Sequence, residues 1–336
     1  MTPRILVTGA GGPSAIAVMN SLSSYAIYAG DADRLASGLY SVPSHRRLLL
    51  PKGDAPEFAR IVWSECQKHR IDVLIPTVDA ELIPLALEHR TFSDAGTLIL
   101  NSPVDRLRTC LDKFLLLQYA RHILPTPRFA LFHNPIDFDD WEFPVIAKPR
   151  RGSGVRRVES QRELADLPTD GSMLICEYLP GTEYSVDVLA STRGQPLATV
   201  PKERSRIDSG ISVTSRTVKD QQLELYARTI VAELTLPYVS NVQFRRDKFG
   251  TARLFEINPR FPGSMALTVA SGIDMPKHAL DLLFGTFDRK KLTPYRELAM
   301  VRYLGQRFVS VETVFGDAQA RESVRPLHEH PLLDAC

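Results

Sequence analysis

The sequence contains little cysteine and no long apolar run. Its four cysteines are Cys66, Cys110, Cys176 and Cys336, and no two of them form a Cys-x-x-Cys pair. A zinc knuckle or a thioredoxin-type site is therefore not expected, and free thiols in a reducing compartment fit this usage best. No apolar run approaches the roughly 18 residues of a membrane helix, and Ile5–Val7 is too short for the core of a signal peptide. These absences predict a cytoplasmic protein without a membrane partner.

An excess of charge of one sign is also missing. The 336 residues include 41 Lys and Arg against 39 Asp and Glu, a net charge of +2, which gives no reason to expect a nucleic-acid partner. The 19 glycines and 24 prolines are too few for a collagen-like or low-complexity chain. At roughly 150 residues per domain the length indicates about two domains, and one large or three small domains stay open.

Strands and helices alternate over the first hundred residues. Short apolar runs such as Arg4–Thr8 and Asp72–Pro76 are separated by segments with apolar residues at helical spacing, such as Ser14–Tyr25. This alternation predicts parallel βαβ units in a doubly wound sheet. The other elements expected here are strands at 26–29, 46–50 and 97–100 and helices at 55–70 and from Asp79.

The pattern changes at about Asp105. A helical stretch to Ile123 is followed mainly by extended pieces, which favours an α+β fold. Asp247–Gly250 is predicted to be a hairpin turn because glycine tolerates a positive φ. After about Lys291 a further strand pair is expected around 300–314. The other expected elements are strands at 144–148, 173–178, 183–190, 197–202, 211–218, 239–246 and 252–257 and a helix at 221–234.

A glycine-rich turn follows the first strand. Gly9–Ser14 is similar to a dinucleotide-binding turn, and Asp31 lies 20 residues after Gly11, where an acid could bind a ribose. The sixth position is Ser14 rather than Gly or Ala, and such turns also serve simply to reverse the chain. An NAD(P)-dependent oxidoreductase therefore remains an alternative from a different class.

A lysine and a glycine loop form a candidate phosphate site. Lys148 ends an expected strand and is followed by Gly152, Ser153 and Gly154. Backbone N–H groups of such a loop and the lysine charge suit a polyphosphate, although the segment is not a Walker loop. An ordinary hairpin with a solvated lysine is the competing interpretation.

Oxygen-bearing side chains alternate along two later strands. Glu183, Ser185 and Asp187 share one strand face, and Glu256 and Asn258 share another. The last two suit Mg²⁺, which prefers a few protein oxygens together with substrate phosphates. Two further residues complete the pattern: Gln243 as a cross-strand neighbour, and Arg260 within reach of a transferred phosphoryl group. Solvated strand faces are the alternative.

Two further groups are candidates for substrate binding. Arg204, Arg206 and Arg216 could converge on an anion, or could belong to a solvated charged loop. Asp79 and Glu81 follow a strand at the end of the sheet where open α/β folds bind ligands, and could hold a substrate amine. Acidic residues in a first helical turn are also common for reasons of the helix dipole alone.

The order of these motifs resembles the ATP-grasp superfamily, with the nearest likeness to the carbamoyl-phosphate-synthase large chain and the amino-acid ligases. The resemblance extends to about Gly285. It implies an α/β and α+β protein in which a doubly wound preATP-grasp domain precedes two α+β subdomains. The implied domains are residues 1–104, a small subdomain at 105–180 whose sheet is 144–178, and a C-terminal subdomain at 181–336.

The resemblance also implies a nucleotide site. Lys113, before Leu124-Pro-Thr-Pro127, and Lys148 correspond to the two ATP lysines. The segment from Arg150 through Gly152, Ser153 and Gly154 to Val155 corresponds to the mobile loop over the phosphates. Residues 177–179 (Glu177, Tyr178 and Leu179) correspond to the hinge whose backbone contacts adenine, and Glu183 to the acid that binds the ribose.

Metal and catalytic positions follow in the same way. Glu256 and Asn258 match the magnesium ligands, and Arg260 matches the arginine beside the transferred phosphoryl group. Gln243 stands where many members have Asp or Glu, so one or two Mg²⁺ ions are expected, with Mn²⁺ as a substitute. Catalysis is assigned to Arg260, Lys148 and Arg204.

The implied function is an ATP-dependent carboxylate–amine ligase. A small acid or amino acid would be activated as an acyl phosphate and coupled to an amine, with release of ADP and phosphate. Its partners are small molecules, and a homodimer is expected from the family. A carbamoyl-phosphate type of enzyme that phosphorylates bicarbonate is the alternative within this fold. A non-catalytic ATP-binding module is disfavoured because the ligand set is complete.

Overall fold

Three β-sheets organise the fold. The structure, a computed structural model, describes residues 2–316, apart from the side chains of Pro135 and Ile136. Contacts group the chain up to Arg302 into one unit, and a second unit begins at Tyr303. No helix within residues 2–316 is both long enough and apolar enough to cross a bilayer.

The first sheet has five parallel strands in the order β3-β2-β1-β4-β5. Its central strands contain fully buried apolar runs such as Leu6-Val7 and Val73–Ile75. Continuous apolar runs are the sequence pattern of a sheet that is covered on both faces. The predicted doubly wound parallel sheet is therefore confirmed. The elements are β1 Arg4–Thr8, α1 Pro13–Ser21, β2 Ala26–Asp31, β3 Arg47–Leu49, α2 Phe58–His69, β4 Val73–Ile75, α3 Asp79–Leu87, α4 His89–Asp94 and β5 Leu98–Ile99.

Two helices lead into the rest of the chain. They are α5 (Val104–Leu111) and α6 (Lys113–Ala120), and the Asp112 carboxylate caps α6 by accepting the N–H groups of Phe114 and Leu115. Cys110, Leu116 and Ala120 join the core of the six-stranded sheet described below. Both helices thus contribute to that core, although the sequence prediction assigned them to the small subdomain.

The second sheet is small and antiparallel. Its four strands have the order β6-β9-β7-β8. Phe132, Phe138 and Trp141 lie in the core beneath it. It contains the predicted 144–178 sheet and one strand before it. The elements are β6 Phe129–Leu131, β7 Val145–Pro149, β8 Arg156–Val158, α7 Gln161–Leu164 and β9 Met173–Glu177.

The third sheet has six antiparallel strands in the order β14-β13-β10-β11-β12-β15. Val186, Val242 and Phe244 face the core shared with α8, and alternate residues face the other side. These antiparallel strands fit the predicted α+β pattern, which is confirmed. The elements are β10 Glu183–Ala190, β11 Pro196–Asp208, β12 Ile211–Thr217, α8 Gln221–Glu233, β13 Tyr238–Arg246, β14 Ala252–Asn258, α9 Met265–Ala270, α10 Met275–Leu283 and β15 Ala299–Val301.

A β-bulge interrupts β14. Gln243 pairs with Glu256 and Phe244 pairs with Leu254, so Phe255 has no residue opposite it. Leu254 lies in the core before the bulge and Ile257 lies in it afterwards. The extra residue therefore turns Glu256 to the polar face of the sheet, although it shares the parity of Leu254.

The prediction of a strand pair around 300–314 is wrong. Only β15 forms, and it pairs with β12 through Met300 and Ser215. Further along, α11 (Val311–Phe315) begins after Ser310, whose side chain accepts the N–H of Thr313. A serine N-cap favours this helix over a strand. Cys336, to which no role was assigned, lies outside the described residues.

Candidate active site

Two lysines from different elements lie between the four-stranded and six-stranded sheets. Lys113, at the start of α6, donates to the Gly152 carbonyl at 2.7 Å. Lys148, in β7, is 5% exposed and its Nζ lies 3.4 Å from the Phe255 carbonyl of the bulge. Burial lowers the pKa of Lys113, the Glu256 carboxylate raises it, and the Lys148 charge lowers it further. Lys113 contacts the loop that directly follows Lys148 through both its side chain and its backbone N–H, so both lysines lie beside the same loop.

The glycine-rich loop follows Lys148 directly. Gly152 and Gly154 have φ angles of 77° and 118°, which glycine adopts without the penalty of a Cβ. Arg150 does not face the open side of this loop. Its guanidinium pairs with Asp112 at 2.7 Å because that carboxylate is 1% exposed and needs a counter-charge. Ser153 is exposed.

The connection from β9 to β10 links the two antiparallel sheets. Glu177 exchanges hydrogen bonds with Arg128: its N–H donates to the Arg128 carbonyl at 2.8 Å, and its Oε2 accepts the Arg128 N–H at 3.0 Å. The Arg157 guanidinium lies 4.7 Å from the centre of the Tyr178 ring. The Glu177 carboxylate is already engaged by Arg128. The connection, which ends past Leu179, therefore offers its backbone groups to a ligand.

Four oxygen-bearing side chains form a grid on β13 and β14. Gln243 lies opposite Glu256, and Asn241 lies opposite Asn258. The prediction of Gln243 as a cross-strand neighbour is confirmed. Within residues 2–316 no group of three or more His, Cys, Asp or Glu side chains has metal-site geometry. The grid instead combines one carboxylate with amide oxygens, a donor set that suits a hard cation also bound by phosphates.

Arg260 is held by the N-terminal domain. Its Nε and Nη2 donate to the two oxygens of Asp79 at 2.6 and 3.0 Å, across 181 positions of sequence. Nη2 also lies 3.3 Å from Asn258 Oδ1. Such a two-point contact fixes the plane of the guanidinium. Asp79 therefore pairs with Arg260 in this structure, and its role toward a substrate amine stays a prediction.

Glu81 is also not placed as predicted. Its side chain is 6% exposed and accepts the Thr8 hydroxyl at 2.5 Å. Burial raises the pKa of Glu81 to about 7, even though the hydrogen bond from Thr8 lowers it. A carboxyl group enclosed in this way is not available to a substrate.

The three arginines do not converge. Arg204 pairs with Glu183 at 2.5 Å on one face of the six-stranded sheet. Arg216 pairs with Glu203, the residue directly before Arg204. Because consecutive residues of a strand point to opposite faces, Glu203 and Arg216 lie on the face away from Arg204. Arg206 is exposed. The prediction that Arg216 joins Arg204 at one anion is therefore wrong, because strand geometry places the two on opposite faces.

A buried ion pair lies in the six-stranded sheet and is not predicted from the sequence. Lys202 and Asp187 are both fully buried and pair at 2.5 Å. Lys202 also donates to Ser264 at 2.7 Å, and Asn241 donates to Asp187 at 2.7 Å. The available signal is a lysine at the end of the strand predicted over 197–202, directly after mostly apolar residues.

The glycine-rich turn Gly9–Ser14 serves as a junction. Asp31 accepts the N–H groups of Gly11 and Asp33 at 2.8 and 2.9 Å. Ser14 donates to the Phe261 carbonyl at 2.6 Å. One carboxylate oxygen of Asp31 is thus engaged by the turn and the other by Asp33, in the segment after β2. The serine that departs from the dinucleotide pattern attaches the N-terminal domain to the segment after Arg260, which weighs against the NAD(P) alternative.

Comparisons with known proteins agree with this geometry. Residues 5–100 match a family described as the PylC-like N-terminal domain. Residues 169–307 match a family described as ATP-grasp in the biosynthetic pathway with Ter operon. Over 124 residues the chain is 32% identical to a D-alanine–D-alanine ligase of Thermotoga petrophila, in a match that covers 32% of this chain and 41% of the ligase. The chain thus spans less than half of that relative.

Solved structures show the same fold over most of the chain. A biotin carboxylase domain of Hydrogenobacter thermophilus 2-oxoglutarate carboxylase has a TM-score of 0.68 at 15% identity, covering 86% of this chain and 71% of that one. An L-amino acid ligase of Bacillus licheniformis has a TM-score of 0.66 at 16% identity, covering 88% and 79%. The chain therefore matches a PylC-like N-terminal family over residues 5–100 and an ATP-grasp family over residues 169–307, and it shares the fold of these solved structures over most of its length.

Proposed function

We propose that the protein is an ATP-dependent carboxylate–amine ligase. The observation that carries this proposal is that three cations from separate elements lie beside the glycine loop and the end of β14. Lys113 donates to the Gly152 carbonyl, Lys148 Nζ lies 3.4 Å from the carbonyl of Phe255, next to Glu256, and Arg260 Nη2 lies 3.3 Å from Asn258 Oδ1. Phosphoryl transfer depends on positioning and on neutralising charge more than on covalent chemistry by side chains. Positive charge around a carboxylate that can hold a metal is the arrangement that such a transfer needs.

The residues present suit Mg·ATP. Lys113 and Lys148 would hold the phosphates, and Glu256, Asn258 and Gln243 supply oxygen atoms for one or two magnesium ions, or for manganese in their place. When bound, the metal neutralises phosphate charge and orients the transferred group. Glu183 is proposed for the ribose hydroxyls, so its partner Arg204 would have to share or release it.

The reaction divides into two transfers. An oxygen of the substrate carboxylate attacks the γ-phosphorus, the bond to the β-phosphate oxygen breaks, and ADP leaves. Arg260 would stabilise charge on the transferred group. The amine nitrogen then attacks the acyl carbon and loses a proton, and inorganic phosphate leaves with the bonding electron pair. The loop from Arg150 to Val155 would exclude water from the acyl phosphate.

The identity of the acid stays open between two classes. An amino acid or another small acid is proposed first, with Arg204 as the candidate for its carboxylate. Bicarbonate is the second candidate, because its oxygen attacks the γ-phosphorus in the same way. A homodimer and cytoplasmic localisation remain predictions.

We expect ADP release from Mg·ATP to depend on one acid and one amine. Pools of amino acids, other small carboxylic acids, bicarbonate and amines would be supplied, and the active pools divided. Lys148→Ala should abolish the release because it removes a phosphate-binding charge. Lys68→Ala, on an exposed face of α2, is the matched control and should behave as wild type. Release with bicarbonate alone would favour the second candidate, and no release with any pool would contradict ligase activity.

Mg·ATP is expected to raise the melting temperature, because a ligand at 100 times its Kd stabilises the native state by about 2.7 kcal/mol. NAD(P)H should leave the melting temperature unchanged, since Asp31 and Ser14 are engaged. Differential scanning fluorimetry with each nucleotide measures both. A shift with NAD(P)H and none with ATP would reverse the assignment.

A further inference from the structure

A chain of hydrogen bonds crosses the polar face of the six-stranded sheet. Lys202 donates to Asp187, and Asn241 Nδ2 donates to Asp187 Oδ1 at 2.7 Å. Gln243 Nε2 donates to Asn241 Oδ1 at 3.2 Å. Arg204 Nη1 then donates to Gln243 Oε1 at 3.3 Å. The chain therefore runs from a buried ion pair to the edge of the proposed metal site.

The groups at its two ends determine which atoms donate and which accept along this chain of hydrogen bonds. The Asp187 carboxylate, paired with Lys202, only accepts hydrogen bonds, so Asn241 must turn its NH₂ group toward it. The Asn241 oxygen then faces Gln243, which must donate a hydrogen bond to it from its own NH₂ group. At the other end the guanidinium of Arg204 only donates, so it meets the Gln243 oxygen. Neither amide can be inverted without placing two donors or two acceptors against each other.

The orientation matters because Gln243 is neutral. A glutamate presents oxygen from either side of its carboxylate, whereas a glutamine presents oxygen from one side and NH₂ from the other. A hard cation binds the oxygen and is repelled by the amide hydrogens. Gln243 lies directly opposite Glu256 on the same sheet face. Its usefulness as a ligand thus depends on which way its amide points.

We propose that Asp187 and Asn241 are positioning residues that orient the Gln243 amide, so that its carbonyl oxygen is presented to the metal of the nucleotide site. This rests on the proposed function. Outer partners that orient metal ligands commonly change affinity by about 10–100-fold when removed. The chain of hydrogen bonds thereby allows an amide to act as a metal ligand at a position where a carboxylate would need no orienting partner.

The test measures Mn²⁺ affinity of the full-length protein with a non-hydrolysable ATP analogue, by electron paramagnetic resonance of the free ion. Asn241→Leu should weaken Mn²⁺ binding by about ten-fold in the wild-type background. In a Gln243→Glu background the same change should alter affinity less than about two-fold, because a carboxylate needs no orientation. Asn241→Ser, a smaller disturbance of a buried site, should follow the same pattern if the leucine variant fails to fold.

Each outcome decides a separate point. Equal weakening in both backgrounds would mean that Asn241 supports only the local structure, and would overturn the inference. No weakening in either background, with Mn²⁺ bound normally, would overturn it too and leave the ligase proposal standing. If the wild-type protein bound neither the ATP analogue nor Mn²⁺ with it, the proposed function would fail first.

Discussion

Asp187→Ala is expected to lower the free energy of unfolding by about 3–5 kcal/mol, the usual cost of removing one partner of a buried ion pair. Lys202 and Asp187 are both fully buried, and the substitution leaves the ammonium with only hydroxyl partners from Ser264 and Thr268. Burial lowers the pKa of Lys202 and the Asp187 carboxylate raises it, so the substitution removes the main group that favours the charged ammonium. Urea denaturation of wild type and variant measures the difference.

A surface pair and a double variant provide the controls. Arg216→Ala breaks a pair in which the arginine side chain is 61% exposed, so its effect should stay below about 1 kcal/mol. Combining Asp187→Leu with Lys202→Met removes both charges, and should recover most of the stability lost in the single variant. A single variant as stable as wild type would show that the buried lysine does not depend on this carboxylate.

Arg260→Lys is expected to lower kcat for ADP release by about 10²–10³, the range found when a preorganised donor to a developing negative charge is lost. A lysine cannot reproduce the two-point contact that sets the guanidinium plane against Asp79. The KM for ATP should change little, because the phosphates have Lys113 and Lys148. Steady-state kinetics with the substrates identified in the pool assay measures both parameters.

Arg253→Lys is the matched control for this prediction. Arg253 lies on β14, the strand that Arg260 follows by two residues, and also pairs with a carboxylate, Asp247, at 2.8 Å. It is not part of the proposed site, so kcat should stay within about two-fold of wild type. An Arg260→Lys enzyme with normal kcat would remove Arg260 from the transfer step, and an equal loss in both variants would indicate a general effect of the substitution.

The sequence predicted the elements wherever a simple period held. In β10 the alternation of Glu183, Ser185 and Asp187 with apolar neighbours predicted a strand whose first and last residues are those observed. At β14 the same period does not explain why Leu254 is in the core and Glu256 is not, since both have one parity. The bulge at Phe255 explains it. A bulge changes the facing of a strand without a clear mark in the sequence.

The sequence by itself determined the doubly wound parallel sheet, the α+β character of the part that follows it and most of the strands of both. These follow from local periodicity and from motifs whose members lie within a few positions of one another. Only the tertiary structure decided which side chains meet: Arg260 with Asp79, Lys202 with Asp187, and Arg216 on the face away from Arg204. The physical reason is that a charge pairs with whichever opposite charge packing brings close to it, and that partner lies on another strand or in another domain.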